Sequence, residues 1–176
     1  MAESESPSEV RVPGSFELFY QQEYASVVAL AYGLSGGLWV AEDLAQEAFL
    51  RAHRDWVRVG EMDSPGAWVR RVALNLARSR LRRLRSETMA RLRLGPSTVM
   101  AESPDGREVE AFWVEVRRLP TRQAQAVALR YIDDLSVGEI AQVLEIAEGT
   151  VKALLHQGRE RLRRQLTAKG VVDDEV

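Results

Sequence analysis

Apolar positions recur along this chain at the spacing of helices, and no stretch of alternating β-branched residues marks a strand. Phe16, Phe19, Tyr20, Tyr24, Val27, Val28 and Ala31 form one stripe, which "GLSGG" at Gly33 to Gly37 interrupts with a glycine stop. In "AEDLAQEAFLRAHRDW", Leu44, Ala45, Ala48, Phe49, Ala52 and Trp56 make a second stripe, while Glu42, Asp43, Gln46 and Glu47 crowd another face. Ser64-Pro65 then opens a long helix, with serine as cap and proline where a missing N–H costs nothing. Its apolar stripe is Trp68, Val69, Val72, Ala73 and Leu76, so Trp68 reads as core, with a base-stacking platform as the alternative. Arg71, Asn75, Arg78 and Arg82 share a neighbouring face as a cationic ridge with one amide.

The pattern dissolves between Ser86 and Arg107, where "GPSTVMAESPDG" reads as a linker. A short helix resumes with Val109, Phe112, Trp113 and Val116 and stops at Pro120, and Thr121 is placed to cap the next one. Ser136-x-x-Glu139 is a capping-box pattern that opens "VGEIAQVL", with Val137, Ile140, Ala141 and Leu144 inward. After a bend of about four residues, Val151, Leu155, Gly158 and Leu162 form the inward stripe of a last helix. Its outer face carries Lys152, Ala153, His156, Gln157, Arg159, Glu160 and Arg163. These elements predict an all-α chain of two small helical domains, spanning 15–85 and 108–166. A flexible linker at 86–107 joins them, and a disordered tail at 1–14 and an acidic tail at 167–176 flank them.

Composition narrows the chemistry. The 176 residues hold no cysteine, which excludes disulfides, thiolate zinc sites and thiol nucleophiles. The absence of a long apolar run and the polar, acidic start "MAESESPSEV" point to a cytoplasmic protein with no membrane insertion. The net charge of −2 conceals segregation: "WVRRVALNLARSRLRRLR" has arginines and no acid, whereas "AESPDGREVE" and "VVDDEV" are acidic. His53 and His156 have no companions at ligand spacing, and neither a phosphate-cradling loop nor a nucleophile elbow is present. The expectation is therefore a non-enzyme with no metal or other cofactor.

Capping box, short helix, bend and basic second helix follow in the order of a helix-turn-helix, whose second helix reads the major groove. A solvated amphipathic helix with a basic end is the plainer alternative. Two residues depart from the motif. Glu145 stands where glycine commonly relaxes the bend, at a cost of about 1–2 kcal/mol if it is left-handed. Ala147 stands where a side-chain cap is usual, a loss of about 1 kcal/mol. Glu148 suits the helix dipole but opposes nearby phosphates.

Taken together, "EDLAQEAFLRAHRDW", "SPGAWVRRVALNLARSRLRR" and "RLPTRQAQAVALRYIDDLSVGEIAQVLEIAEGTVKALLHQGRERLRR" resemble bacterial RNA polymerase sigma factors of the extracytoplasmic-function (ECF) group. The resemblance implies a sigma-two bundle, a linker and a sigma-four helix-turn-helix. It also implies binding to core RNA polymerase, through the β′ clamp helices and the β subunit, and to promoter DNA. Asp43, Gln46 and Glu47 match the face that docks on the clamp helices; Arg71, Asn75, Arg78 and Arg82 match the region that opens the −10 element. Lys152, Ala153, His156, Gln157, Arg159 and Arg163 match the helix that reads the −35 duplex, with Arg122 and Arg130 as candidates for phosphate contacts. An anti-sigma protein clamping the two domains is implied as well. Glu102 and Asp105 of the linker are candidates for nucleic-acid mimicry, a plain tether being the alternative. The chain departs from the family pattern at Leu74, Ser79, Ala153-Leu154 and Gln157, so a relative's promoter sequence does not transfer. A stand-alone helix-turn-helix regulator is the main rival reading, and a protein acting only through partner helices is a third.

Overall fold

The computed structural model describes residues 15–90 and 104–168, and all regular structure among them is helical. Four helices form the N-terminal half: α1 (Phe16–Ser35), α2 (Leu38–Arg54), α3 (Trp56–Val59) and α4 (Pro65–Ala90). Four more form the C-terminal half: α5 (Pro104–Arg118), α6 (Thr121–Tyr131), α7 (Val137–Leu144) and α8 (Glu148–Thr167). Helix thus occupies 86–90 and 104–107, both ends of the stretch read as linker; 91–103, with Glu102, lie outside the described residues, as does the side chain of Asp105. The tails at 1–14 and 169–176 also lie outside them.

The N-terminal half is a bundle of α1, α2 and α4. Val27, Ala45, Ala48, Phe49, Val69 and Ala73 are buried at its centre, and Trp68, Val72 and Leu76 pack partly buried against them. These are residues of the stripes read from the sequence, so helical periodicity and burial agree. At one end, aromatic rings replace aliphatic packing: Phe16 meets Trp56 edge-on at 5.3 Å between centroids, and Tyr20 meets Phe49 at 5.0 Å. Helix α1 runs one turn beyond Ala31, the last residue of its apolar stripe, and ends on left-handed Gly36, whose N–H donates to the Tyr32 carbonyl. Ser64 caps α4 as expected, its Oγ accepting from the Ala67 N–H at 3.3 Å.

In the C-terminal half, α8 lies across α6 and α7. Val151, Leu155, Gly158 and Leu162 are buried along it, against Val127, Leu129, Ile140 and Val143. The capping box forms in full: Ser136 Oγ accepts from the Glu139 N–H at 3.3 Å, and Glu139 accepts from the Ser136 N–H at 2.8 Å. The Ser136 bond to Glu139, then the backbone bond, holds the Glu139 carboxyl below its usual range. One expected cap is absent. Pro120 is the N-cap of α6 with no side-chain bond, and Thr121 is already its first residue. Because Pro120 fixes an extended entry, the helix starts one residue too early for the threonine hydroxyl to cap it.

The two halves do not sit apart. Leu30, Leu34 and Leu74 belong to the same buried cluster as Val116, Val127, Leu129 and Ile140. Helix α1 packs on α5 and α6, and α4 packs on α7.

Candidate nucleic-acid and protein interfaces

Three helical faces carry the residues singled out in the sequence. On α2, Asp43 and Gln46 are exposed and Glu47 is half-buried. Arg51 Nε donates to Glu47 at 2.8 Å, and Arg80 reaches Asp43 at 3.5 Å, so two of the three acids and amides are lightly neutralised at the surface. Sequence reading missed the apolar members of this face. Trp39, four positions before Asp43, is 86% exposed, and Leu50, four after Gln46, is also exposed. A tryptophan left in water beside acids is the composition of a protein-binding hot spot rather than of a solvated helix. Its signal was present in "GGLWVAED", two large apolar residues at a helix start outside the buried stripe.

On α4, Asn75, Arg78 and Arg82 are exposed, with Arg83 beside them. Arg71 differs, being half-buried and ion-paired with Glu145 of the helix-turn-helix bend. Trp68 is half-buried, packing on the bundle core while lining a cleft of about 800 Å³ with Met62, Arg71, Glu145 and Ile146. Leu74, a departure from the basic pattern, is buried within the core shared by the two halves.

On α8, the expected face is exposed: Lys152, Ala153, His156, Gln157, Arg159 and Arg163 all lie on the surface. Gln157 Oε1 accepts from Gln123 Nε2 at 3.0 Å, and Arg163 reaches Glu160 at 3.5 Å. The bend before α8 spans Glu145 to Ala147, one residue tighter than expected. Glu145 is left-handed at φ 53°, and Ala147 makes no side-chain cap, so both departures are real features of the fold. Of the two arginines suggested for phosphate contacts, Arg122 is exposed. Arg130 is turned back onto the Leu135 carbonyl at 2.9 Å.

A further charged site joins the halves and was not legible in the sequence. Arg70 of α4 donates to Asp133, which follows α6, at 2.8 Å, to Glu23 of α1 at 2.6 Å, and to the Gly66 carbonyl. Ser26 of α1 also bonds Asp133, whose side chain is only 2% exposed. Burial works against the Arg70 charge, but the hydrogen bond and charge of Asp133, then those of Glu23, outweigh it and raise the guanidinium above its ordinary value.

No metal-ligand cluster occurs among the described residues, and no helix among them is long and apolar enough to cross a membrane. Residues 19–87 match the sigma-70 region 2 family model, and residues 110–162 match sigma-70 region 4. The ECF RNA polymerase sigma factor SigW of Bacillus subtilis (strain 168) is 32% identical over 157 residues, covering 80% of this chain and 82% of that one. SigE of Mycolicibacterium smegmatis, another ECF sigma factor, is 33% identical over 159 residues, covering 86% of this chain but 62% of its own length. By fold, the chain is similar to the sigma factor RpoE of Bartonella quintana, solved with the anti-sigma factor NepR. The TM-score is 0.73 at 22% identity, over 86% of this chain and 96% of that one. CnrH, solved with the cytosolic domain of CnrY, gives a TM-score of 0.64 at 19% identity, over 87% of this chain and 88% of that one. With both sigma regions in order and relatives matched along most of its length, the chain belongs to the ECF family of RNA polymerase sigma factors.

Proposed function

We propose that this chain binds core RNA polymerase and directs it to promoters in the cytoplasm, with the work divided among the three faces. Region 2, at 15–85, grips the polymerase and opens the −10 element; region 4, at 108–166, finds the −35 duplex; and 86–107 tether them. The observation that carries the division is the segregation of charge. An acidic face with an exposed tryptophan lies on α2, whereas exposed cations line α4 and α8.

Asp43, Gln46 and Glu47 meet a cationic helical surface of the β′ clamp, and Trp39 supplies the desolvated anchor that an acidic rim alone lacks. Asn75 and the arginines of α4 hold an unstacked base and track the single strand, roles suited to an amide and planar cations. Lys152, His156, Gln157 and Arg159 face base edges, and Arg163 and Arg122 meet phosphates. Weak duplex contacts suffice because polymerase anchors both domains and raises their effective concentration. An anti-sigma factor is the natural antagonist, since RpoE and CnrH share this fold and RpoE is solved with one.

The test is footprinting of holoenzyme on a promoter mapped from transcript starts. Substituting Asn75 and Arg78 with alanine should abolish permanganate reactivity of −10 thymines while sparing upstream protection. Lys152→Ala with His156→Ala should weaken upstream protection first. If both pairs act alike, or neither acts, the division of labour is wrong.

A further inference from the structure

Away from the seam where the two halves meet, α6 and α8 cross inside region 4, and two amides touch at the crossing. Gln123, in the first turn of α6, is only 5% exposed, although an amide gains nothing from burial unless it is hydrogen-bonded. Its Nε2 donates at 3.0 Å to Oε1 of Gln157, which lies exposed on the outer face of α8. The other end of the Gln123 amide is unused: its Oε1 is buried and finds no partner among the described residues. A methionine would fill the same volume without an orphaned oxygen, so folding alone gives no reason for an amide here. The contact with Gln157 gives one.

Backbone packing fixes the pair. The Gln123 N–H donates to the Pro120 carbonyl at 2.9 Å, and Gly158, next after Gln157, lets α8 come so near that a Cβ there would stand 3.8 Å from Gln123 Cβ. With its Oε1 pinned to a buried donor, the Gln157 amide is turned one way, N–H2 outward, and Oε1 keeps a second lone pair. An amide so held offers one donor and one acceptor in a plane. That pattern matches N7 and N6–H of adenine in the major groove, whereas an arginine, with donors only, matches guanine.

We propose that Gln157 reads an adenine of the −35 duplex, and that Gln123 is the positioning residue that holds its amide in the reading orientation. This rests on the reading of α8 as the −35 helix given above and deepens it by naming the base. Gln157 Nε2 donates to adenine N7, and its Oε1 accepts from adenine N6–H with one lone pair while Gln123 Nε2 keeps the other. Because the side chain is ordered before DNA arrives, less rotamer freedom is lost on binding. A cytosine at the same place offers only its N4–H2 donor, which leaves the outward N–H2 of Gln157 unmatched.

The experiment is binding of holoenzyme, core polymerase with the full chain, to duplex fragments of a promoter mapped from transcript starts, with all four bases placed in turn at each −35 position. One position should prefer adenine over cytosine by about tenfold or more. There, 7-deazaadenine, which still pairs with thymine but lacks the N7 acceptor, should weaken binding severalfold for the unsubstituted chain and not at all for Gln157→Ala. Gln123→Met should lose most of the adenine preference while affinity for the other three fragments, and its slope against salt, stay unchanged, since no phosphate contact is removed. A purely structural Gln123 would instead weaken all four fragments alike, and that result overturns the inference. Gln123→Glu, which can only accept, should turn the Gln157 amide over and move the preference from adenine to cytosine, whose N4–H2 then meets an outward Oε1. If circular dichroism shows this variant unfolded, Gln123→Met decides alone. An adenine preference that is missing, or that survives Gln157→Ala, Gln123→Met or a folded Gln123→Glu, overturns the inference while Lys152→Ala still weakens upstream protection. The −35 reading fails separately, if Lys152→Ala, His156→Ala and Gln157→Ala together leave every base profile and the upstream protection unchanged.

Discussion

Replacing Arg70 with methionine leaves Asp133 without its cation at a side-chain exposure of 2%, with only the Ser26 hydroxyl for company. Orphaning one member of a buried pair costs about 3–5 kcal/mol when the site cannot relax. Here it can, because Asp133 sits on the seam and is hydrated if the halves part. The loss of global stability should therefore be smaller than that figure, and the remainder should appear as opening. The reverse substitution is milder. In Asp133→Asn, Arg70 keeps Glu23 at 2.6 Å and the Gly66 carbonyl at 3.2 Å, so its charge remains paired. Urea unfolding followed by circular dichroism, together with the distance between dyes on the two halves, measures both parts. Arg70→Met should lower the midpoint more than Asp133→Asn, and the double variant should cost less than the sum, since the two share one interaction. The reasoning is refuted if Arg70→Met behaves as wild type, if Asp133→Asn is the more damaging, or if a loss near 5 kcal/mol occurs with the seam still closed.

Three further outcomes follow from the same structure. Gly158 lies where α8 crosses α6, and a Cβ there would fall 2.9 Å from Val127 Cγ2, so Gly158→Leu should cost about 1–3 kcal/mol in thermal unfolding and weaken duplex binding with it. Trp39→Ala should weaken core polymerase binding by about 2 kcal/mol, roughly thirtyfold by titration, while leaving the melting temperature unchanged, since the ring is 86% exposed. The lowered Glu139 carboxyl stabilises the capping box above the ordinary glutamate range, and that contribution is lost as pH falls through the depressed value. Glu139→Gln should therefore flatten the acid side of the melting-temperature profile below about pH 5, and an unchanged acid slope would refute the cap's role.

Much of the fold was legible because helices announce themselves locally. Apolar spacing located α1, α2, α4 and α8, and Ser64 and Ser136 marked starts through side-chain chemistry that acts within one turn. Thr121 misled because the residue before it, Pro120, already set the entry to α6. Long-range pairing left no such trace. The sequence presents Leu74 as a missing cation and Glu145 as a strained bend; burial of Leu74 in the core shared by the halves and pairing of Glu145 with Arg71 give each a reason. Asp133 drew no notice in "RYIDDLS", yet it is the most deeply buried carboxylate on the seam. Faces that look outward were readable from periodicity, whereas faces that meet each other depend on how two amphipathic units dock, which no local period encodes.

Initiation by purified core RNA polymerase, with and without this chain, on promoter fragments cloned from mapped transcript starts tests the central claim most directly. The claim predicts run-off transcripts that require the chain, fall sharply with Asp43→Lys or Asn75→Ala, and start at one position downstream of shared −10 and −35 sequences. Transcripts no more abundant with the chain than without it, or binding of the chain to those promoters that needs no polymerase, would contradict it.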